Sequence, residues 1–130
     1  MNASPSPIRI LAVDDHPIFR QGIVALLSDQ ADMRMVAEAS NGKEAIQQYR
    51  AHRPDVTLMD LQMPEMTGLE LQHNLAHKGI RIPTIIITAH DESGMRERCQ
   101  AAGAIAYLAK PLQDTSLFAA IDAAGRSAKN

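Results

Sequence analysis

The chain has 130 residues, of which 45% are hydrophobic and 22% charged, so it is long enough to form one globular domain with a buried core. Its formal net charge of −2 gives no basic field for nucleic acid, and its single cysteine excludes an internal disulfide. The sequence has neither a membrane-spanning apolar run nor a signal peptide, which favours a cytoplasmic protein that binds no membrane.

Short apolar segments alternate along the chain with segments of helical spacing. Strands are predicted at Ile8–Val13, Arg34–Ala39, Asp55–Met59, Thr84–Thr88 and Ile105–Ala109. Helices are predicted at 17–29, 42–52, 67–78, 91–102 and 114–125, each with one apolar face. The stripe of helix 91–102 is the thinnest, with only Met95, Cys99 and Ala102, so we expect this helix to pack most weakly.

The alternation of strands and helices predicts an α/β fold, a doubly wound parallel sheet with helices on both faces. Neither an internal repeat nor an internal linker divides the sequence, so a single domain is predicted. Residues 1–7 are predicted as a disordered leader, residues 8–126 as the domain and residues 127–130 as a C-terminal tail.

Polar residues stand at the carboxyl ends of four predicted strands. Asp14 and Asp15 follow the first strand, Asp60 the third, Thr88 ends the fourth, and Lys110 follows the fifth. The carboxyl ends of parallel strands meet at one edge of the sheet, where such folds bind ligands. Three neighbouring carboxylates repel one another, and Mg2+ is a cation that prefers such oxygen ligands. With Mg2+ and the Lys110 ammonium, the formal charge of the pocket is zero, so it admits a phosphoryl group.

Each of these residues also has a purely structural interpretation. Asp15 is a candidate helix N-cap, Asp60 a candidate turn residue, and Thr88 a candidate cap of the next helix. Lys110 is compatible with a solvated surface, and Tyr107 with ordinary strand packing. These interpretations are independent of one another, so the coincidence at four strand ends favours a functional site.

Four segments carry a resemblance to a known family. They are VDDHPIFRQG at 13–22, LMDLQMPEMTGLE at 58–70, IIITAH at 85–90 and AAGAIAYLAKP at 101–111. In order and spacing they resemble the receiver domain of two-component response regulators, over about residues 8–125. The resemblance implies a flavodoxin-like fold with five helices and a five-stranded sheet in the order 2-1-3-4-5.

The resemblance also implies the chemistry of the site. Asp60 is expected to be the nucleophile that accepts a phosphoryl group, with Mg2+ held by Asp14, Asp15, Asp60 and the backbone carbonyl of Gln62. Lys110 is expected to pair with the phosphoryl oxygens, and a cis peptide bond before Pro111 would aim it. Beyond accepting and losing its own phosphoryl group, the domain is not expected to be an enzyme.

A conformational switch is implied in the same way. The Thr88 hydroxyl is expected to bind the phosphoryl group, and Tyr107 to be the aromatic switch residue. The expected result is a shift in the face formed by helix 91–102, the next strand and helix 114–125. Gln62 and His90, two residues beyond Asp60 and Thr88, are expected to tune the rate at which the signal resets.

A sensor histidine kinase or a phosphotransfer protein is the expected partner, and phosphorylation is expected to allow a homodimer. The stretch DDHPIFRQG is similar to receivers that precede a LuxR-type helix-turn-helix output, whereas KPLQDTSLFAAI is more similar to other receivers. Direct binding of nucleic acid by this segment is not expected. A stand-alone receiver that shuttles phosphate or docks to a partner is the alternative.

Other functional classes fit the sequence less well. A phosphatase with an aspartate nucleophile requires DxDxT after the first strand, where this chain has DDHPI. Neither GxGxxG after a strand nor GxxxxGK[ST] is present, which argues against a nucleotide site. His73 and His77 have the i, i+4 spacing of two metal ligands, but they lie off the apolar stripe without an apparent third ligand, so a solvated face is favoured.

Overall fold

Strands and helices alternate along the whole computed structural model, which describes residues 7–63, 66–89 and 92–129. Within these ranges the elements are β1 (Ile8–Val13), α1 (Pro17–Ser28), β2 (Met33–Ala39), α2 (Gly42–His52), β3 (Val56–Asp60), α3 (Gly68–His77), β4 (Thr84–Thr88), α4 (Met95–Ala101), β5 (Ala106–Ala109) and α5 (Asp114–Lys129).

The five strands form one parallel sheet in the order β2-β1-β3-β4-β5, which confirms the predicted fold and strand order. Strands β2 and β5 are the edges, and β3 lies at the centre. Both β3 and β4 are buried at every residue, which explains why their sequences are apolar throughout instead of alternating.

Each face of the sheet has its own apolar core. Helices α1 and α5 cover one face, where Ile23, Leu27, Leu117 and Ile121 pack against alternate strand residues. Helices α2, α3 and α4 cover the other face through residues that include Ala45, Leu71, Leu75 and Cys99. Among the described residues, none of these helices combines the length and apolar composition that a bilayer span requires.

Helix α4 is shorter than predicted. It begins at Met95 instead of residue 91, directly after Gly94, whose φ of 82° is left-handed and interrupts any helix that extends through it. Residues 90 and 91 lie outside the described residues. The predicted start of this helix was therefore wrong, and the loop after β4 is longer than the sequence indicated.

Helix α5 is longer than predicted. It runs to Lys129 instead of ending at 125, so the tail predicted at 127–130 begins inside the helix. Gly125 does not end it, because a Cβ there would lie 2.6 Å from Ile8 Cδ1, which makes this glycine a point of close packing against β1. Residue 130 and residues 1–6 of the predicted leader lie outside the described residues.

The connection from β3 to α3 folds back tightly on the end of its strand. The amide of Gly68 donates a hydrogen bond of 2.6 Å to the carbonyl of Leu61. A Cβ at Gly68 would lie 2.5 Å from the carbonyl oxygen of Asp60, so only glycine fits there without a shift of the backbone. Helix α3 then begins at a capping box, in which Thr67 and Glu70 each bind the other's backbone amide.

Candidate functional site

Three residues from different strands meet at the carboxyl edge of the sheet. The Nζ atom of Lys110 lies 3.2 Å from Asp14 Oδ2 and 3.8 Å from Asp60 Oδ2. Asp14 and Asp60 are each only 3% exposed. The predicted convergence of these side chains is therefore confirmed, because β1 and β3 are adjacent parallel strands and Lys110 follows β5.

Asp15 and His16 complete a cluster of possible metal ligands. Each residue of the cluster offers one possible ligand atom, and these atoms all lie within 4.8 Å of one another. The residues are Asp14, Asp15, His16 and Asp60. The Nδ1 atom of His16 lies 3.0 Å from Asp14, 3.2 Å from Asp15 and 3.6 Å from Asp60, and its backbone amide donates to Asp14 Oδ1. The exposed His16 ring therefore borders the carboxylates on the solvent side.

The surroundings of Asp60 disfavour the charged form of its carboxyl group. Burial raises its pKa above the usual value, and the like charges of Asp14 and Asp15 act in the same direction. The backbone amide of Gln62, which donates to Asp60 Oδ1 at 3.1 Å, and the ammonium of Lys110 partly oppose this rise in pKa. A bound cation would offset the cost of ionising this carboxyl group.

The cluster fits a hard divalent cation such as Mg2+. Asp15 Oδ1 and Asp60 Oδ2 are buried without a hydrogen-bond partner among the described residues, so they keep lone pairs for a ligand. They border a cavity of about 350 Å3, which Gln62, Met63 and Ala89 also line. An acidic site with unused oxygens and an adjacent cavity has the donor set that Mg2+ requires.

The family follows from a match over most of the sequence. A family model described as the response regulator receiver domain matches residues 10–122. The chain belongs to this family. The predicted resemblance is therefore confirmed, and the strand order and the acidic cluster at the strand ends agree with it.

Curated relatives of this receiver domain include regulators of transcription. The transcriptional regulatory protein NarL of Mycobacterium tuberculosis is 35% identical over 122 residues, which is 92% of this chain and 56% of the relative. The response regulator UvrY of Escherichia coli is 37% identical over 114 residues, which is 88% of this chain and 52% of the relative. The chain thus spans about half the length of these relatives.

Solved structures agree with the fold in detail. The signal receiver domain of NarL from Mycobacterium tuberculosis superposes with a TM-score of 0.83 at 32% identity, over 97% of this chain and 99% of that one. A LuxR-family response regulator from Aurantimonas sp. SI85-9A1 gives a TM-score of 0.86 at 34% identity, over 94% of this chain and 87% of that one.

Lys110 is held in place by its neighbours in the receiver domain. Its backbone amide donates a 2.7 Å hydrogen bond to the carbonyl of Thr88, and its peptide bond to Pro111 is cis, as predicted. Its ammonium lies 3.9 Å from the centre of the Phe19 ring of α1, a cation–π contact. The lysine is therefore aimed at the carboxylates from both its backbone and its side chain.

The two predicted switch residues lie on one face of the sheet. Tyr107 packs in the same apolar cluster as Ile86 of β4, and Thr88 follows Ile86 by two residues, so both side chains face α3 and α4. Thr88 is fully buried and Tyr107 is 3% exposed. The guanidinium of Arg96, from α4, lies over the Tyr107 ring at 4.8 Å from its centre.

The other candidate residues of the sequence lie in different parts of the structure. Gln62 is exposed and lines the cavity, whereas His90 lies outside the described residues. His73 and His77 are exposed on α3, as predicted, and within the described ranges they belong to no group of three possible metal ligands.

The sequence did not identify two side chains that surround Asp14. His16 contacts three carboxylates, and its position directly after the aspartate pair was the available signal. The guanidinium of Arg20, one turn into α1, donates to the backbone carbonyl of Asp14 and forms an ion pair with Glu38 at 3.1 Å. No sequence pattern indicated that Arg20 reaches back to the strand end.

Proposed function

We propose that Asp60 accepts a phosphoryl group from a phosphohistidine and that this modification is the signal the domain transmits. The observation that carries the proposal is the oxygen Asp60 Oδ2, which is buried, lacks a hydrogen-bond partner among the described residues and lies 3.8 Å from the Lys110 ammonium. It borders the cavity of the acidic site, so an incoming phosphorus atom has access to it.

Mg2+ is the proposed cofactor of this site. Asp14, Asp15, Asp60 and the backbone carbonyl of Gln62 would hold it. When bound, the ion supplies positive charge that balances the carboxylates and the oxygens of the transferred group. With the ammonium of Lys110, three carboxylates and one divalent ion sum to a neutral pocket, which explains how an anionic phosphoryl group enters a cluster of aspartates.

The proposed transfer follows from the positions of the protein's own groups. A carboxylate oxygen of Asp60 forms a bond to phosphorus as the bond from phosphorus to the donor's imidazole nitrogen breaks, and the electron pair leaves with the imidazole. Lys110 stabilises the charge on the phosphoryl oxygens, and the Thr88 hydroxyl donates a hydrogen bond to one of them. Attack by water on the aspartyl phosphate resets the signal, at a rate that Gln62 and His90 tune.

The proposed output is a shift of the face formed by α4, β5 and α5. Phosphorylation replaces the single negative charge of Asp60 by a group of about −2 and adds acceptor oxygens. Thr88 moves toward these oxygens, and Tyr107, on the same face of the sheet, fills the space it leaves. The altered face then controls an output domain or a partner, or pairs with a second copy of the chain.

The proposed phosphodonor is a sensor histidine kinase or a phosphotransfer protein in the cytoplasm. A surface beside the acidic site suits such a partner, because Ile18 is 84% exposed and borders an apolar groove. Lys110 and Pro111 also line this groove, so a protein seated there would lie next to the acceptor.

Intact-mass analysis after incubation with acetyl phosphate and Mg2+ tests the proposal. The parent chain is expected to gain one phosphoryl group, and Asp60→Asn none. Asp29→Asn is the matched control, because Asp29 is an exposed aspartate at the end of α1 and should leave the adduct unchanged. A parent chain that gains no phosphate with the metal present would contradict the proposal.

Removal of the metal tests the proposed role of Mg2+. With EDTA, the adduct is expected to disappear, and Asp14→Asn is expected to raise the Mg2+ concentration for half-maximal labelling by about tenfold or more, since one ligand and one charge are lost. Labelling that is equally fast in EDTA would exclude a role for Mg2+ while leaving Asp60 as the acceptor.

A further inference from the structure

Arg96 makes two contacts with Tyr107 that the established family membership does not explain. Its guanidinium lies over the aromatic ring, 4.8 Å from the ring centre, and its Nη1 atom donates a 3.2 Å hydrogen bond to the Tyr107 carbonyl oxygen. One side chain therefore contacts both the ring and the backbone of the same residue. Such a double contact restrains the ring rotamer and the strand together.

The position of Arg96 is unfavourable for the helix that carries it. Arg96 is the second residue of α4, where the positive end of the helix dipole disfavours a cation. In the described part of the chain, its bond to Tyr107 is the side-chain hydrogen bond that joins α4 to the rest of the domain. The location of Arg96 is thus explained by Tyr107 and not by the stability of the isolated helix.

Besides Arg96, the first turn of helix α4 is held by Met95, which is partly buried against the core. Cys99 is its only fully buried residue, no side chain caps its N-terminus, and Gly94 precedes it in a left-handed conformation. Tyr107 lies on β5, an edge strand, and is nevertheless only 3% exposed. The Arg96 guanidinium covers the ring on the side of α4 and connects the least buried helix to the edge of the sheet.

We propose that Arg96 is a positioning residue that holds the Tyr107 ring in its buried position and ties the first turn of α4 to β5. Loss of Arg96 then releases the ring toward solvent and uncouples it from the helix. The consequence for signalling, that ring and helix move as one unit when Asp60 is phosphorylated, rests on the proposed function above. The restraint itself exists in the unmodified chain and can be measured there.

Tyrosine fluorescence gives a direct measurement, because the chain has two tyrosines and no tryptophan. In a Tyr49→Phe background, Tyr107 is the single emitting residue. Acrylamide, a neutral quencher, is expected to quench Arg96→Gln about threefold more strongly than the background chain, from the loss of the cation–π contact and the carbonyl bond. Arg96→Lys, which keeps a cation near the ring, is expected to restore most of the protection.

Arg98→Gln is the matched control, since Arg98 is an exposed arginine of the same helix with no described contact to Tyr107. It should leave quenching unchanged. Equal quenching of the Arg96→Gln and Arg98→Gln chains, with both folded by circular dichroism, would overturn the proposal. So would failure of Arg96→Lys to differ from Arg96→Gln.

These measurements use the unphosphorylated chain without Mg2+, so they do not depend on transfer to Asp60. If Asp60 accepts no phosphoryl group but Arg96→Gln exposes the ring, the proposed function fails and the restraint stands. If Asp60 is phosphorylated and Arg96→Gln leaves quenching unchanged, the restraint fails alone.

Discussion

Helices α3 and α4 cover the same face of the sheet, yet different interactions hold them there. Helix α3 begins at a capping box formed by Thr67 and Glu70 and buries Leu71 and Leu75 in the core. Helix α4 has seven residues, no side-chain cap and one buried residue, Cys99. The first helix combines its own cap with two leucines buried in the core, whereas the second has no side-chain cap and only one buried residue.

The difference between the two helices indicates where this domain can change shape at a low cost in free energy. Few buried apolar groups and a poorly capped end lower the free energy of local opening. Helix α4 also follows β4, which ends in Thr88, and carries the residue that contacts Tyr107. The helix with the fewest buried residues therefore follows one proposed switch residue along the chain and contacts the other.

The largest effect on stability is expected when core-facing side chains of the two helices are truncated to alanine. Leu71 is fully buried, so Leu71→Ala should lower the free energy of unfolding by about 3 kcal/mol. Met95 is only partly buried, so Met95→Ala should lower it by about 1 kcal/mol. Urea denaturation followed by circular dichroism measures both free energies. Equal losses of stability would show that the two helices do not differ in their packing.

Native-state hydrogen exchange compares the helices without mutation. Amides of α4 are expected to open with a free energy at least about 1.4 kcal/mol lower than those of α3, which is a tenfold difference in protection. Mass spectrometry or NMR can resolve the two segments. Equal protection, together with no change at α4 on phosphorylation, would show that α4 is not the moving part.

A third prediction concerns the acidic pocket and not the helices. The raised pKa of Asp60 means that folding disfavours its charged form, so Asp60→Asn should raise the free energy of unfolding without metal by about 1 kcal/mol at neutral pH. Protonated Asp60 carries no such penalty. The gain in stability should therefore vanish as the pH falls below the pKa of this aspartate in the unfolded chain, which is about 3.9.

The same variant sharpens the comparison of the helices. If repulsion in the pocket caused the weakness of α4, then Asp60→Asn would bring its protection up to that of α3. We expect the difference to persist, because the capping and burial that produce it are local to each helix. Disappearance of the difference in Asp60→Asn would assign it to the pocket.

The smallest effect concerns the helix starts. Thr67→Ala removes the cap of α3 and should lower the free energy of unfolding by about 0.5–1 kcal/mol. Ser93→Ala lies just before α4, where no side-chain cap exists, and should change stability by less than about 0.3 kcal/mol. Thermal unfolding of the two variants tests this, and a larger loss from Ser93→Ala would contradict the interpretation of α4 as uncapped.

Most of the fold was predictable because apolar periodicity and strand composition are local properties. The bounds of Ile8–Val13, Thr84–Thr88 and helix 42–52 were predicted correctly. The start of α4 was not, because the left-handed conformation of Gly94 is set by the path of the loop. The end of α5 was missed because Gly125 fits against Ile8, a contact between residues far apart in sequence.

The site was predictable where backbone topology places a residue. Asp14, Asp60 and Lys110 stand at the ends of parallel strands, so their convergence follows from the sheet itself. Arg20 and Arg96 reach their partners through long side chains, whose direction depends on tertiary packing. Side chains at strand ends could thus be placed from sequence, whereas long side chains on helices could not.

Gly68 sets a limit on how the strand that ends in Asp60 can be altered. Because a methyl group there would press on the Asp60 carbonyl, even alanine must displace the main chain that carries the proposed phosphorylation residue. A saturation mutagenesis screen for signalling should therefore find this position, which has no reactive group, as intolerant as the aspartate itself. Engineers who transplant the acceptor loop into another scaffold would have to move the glycine with it.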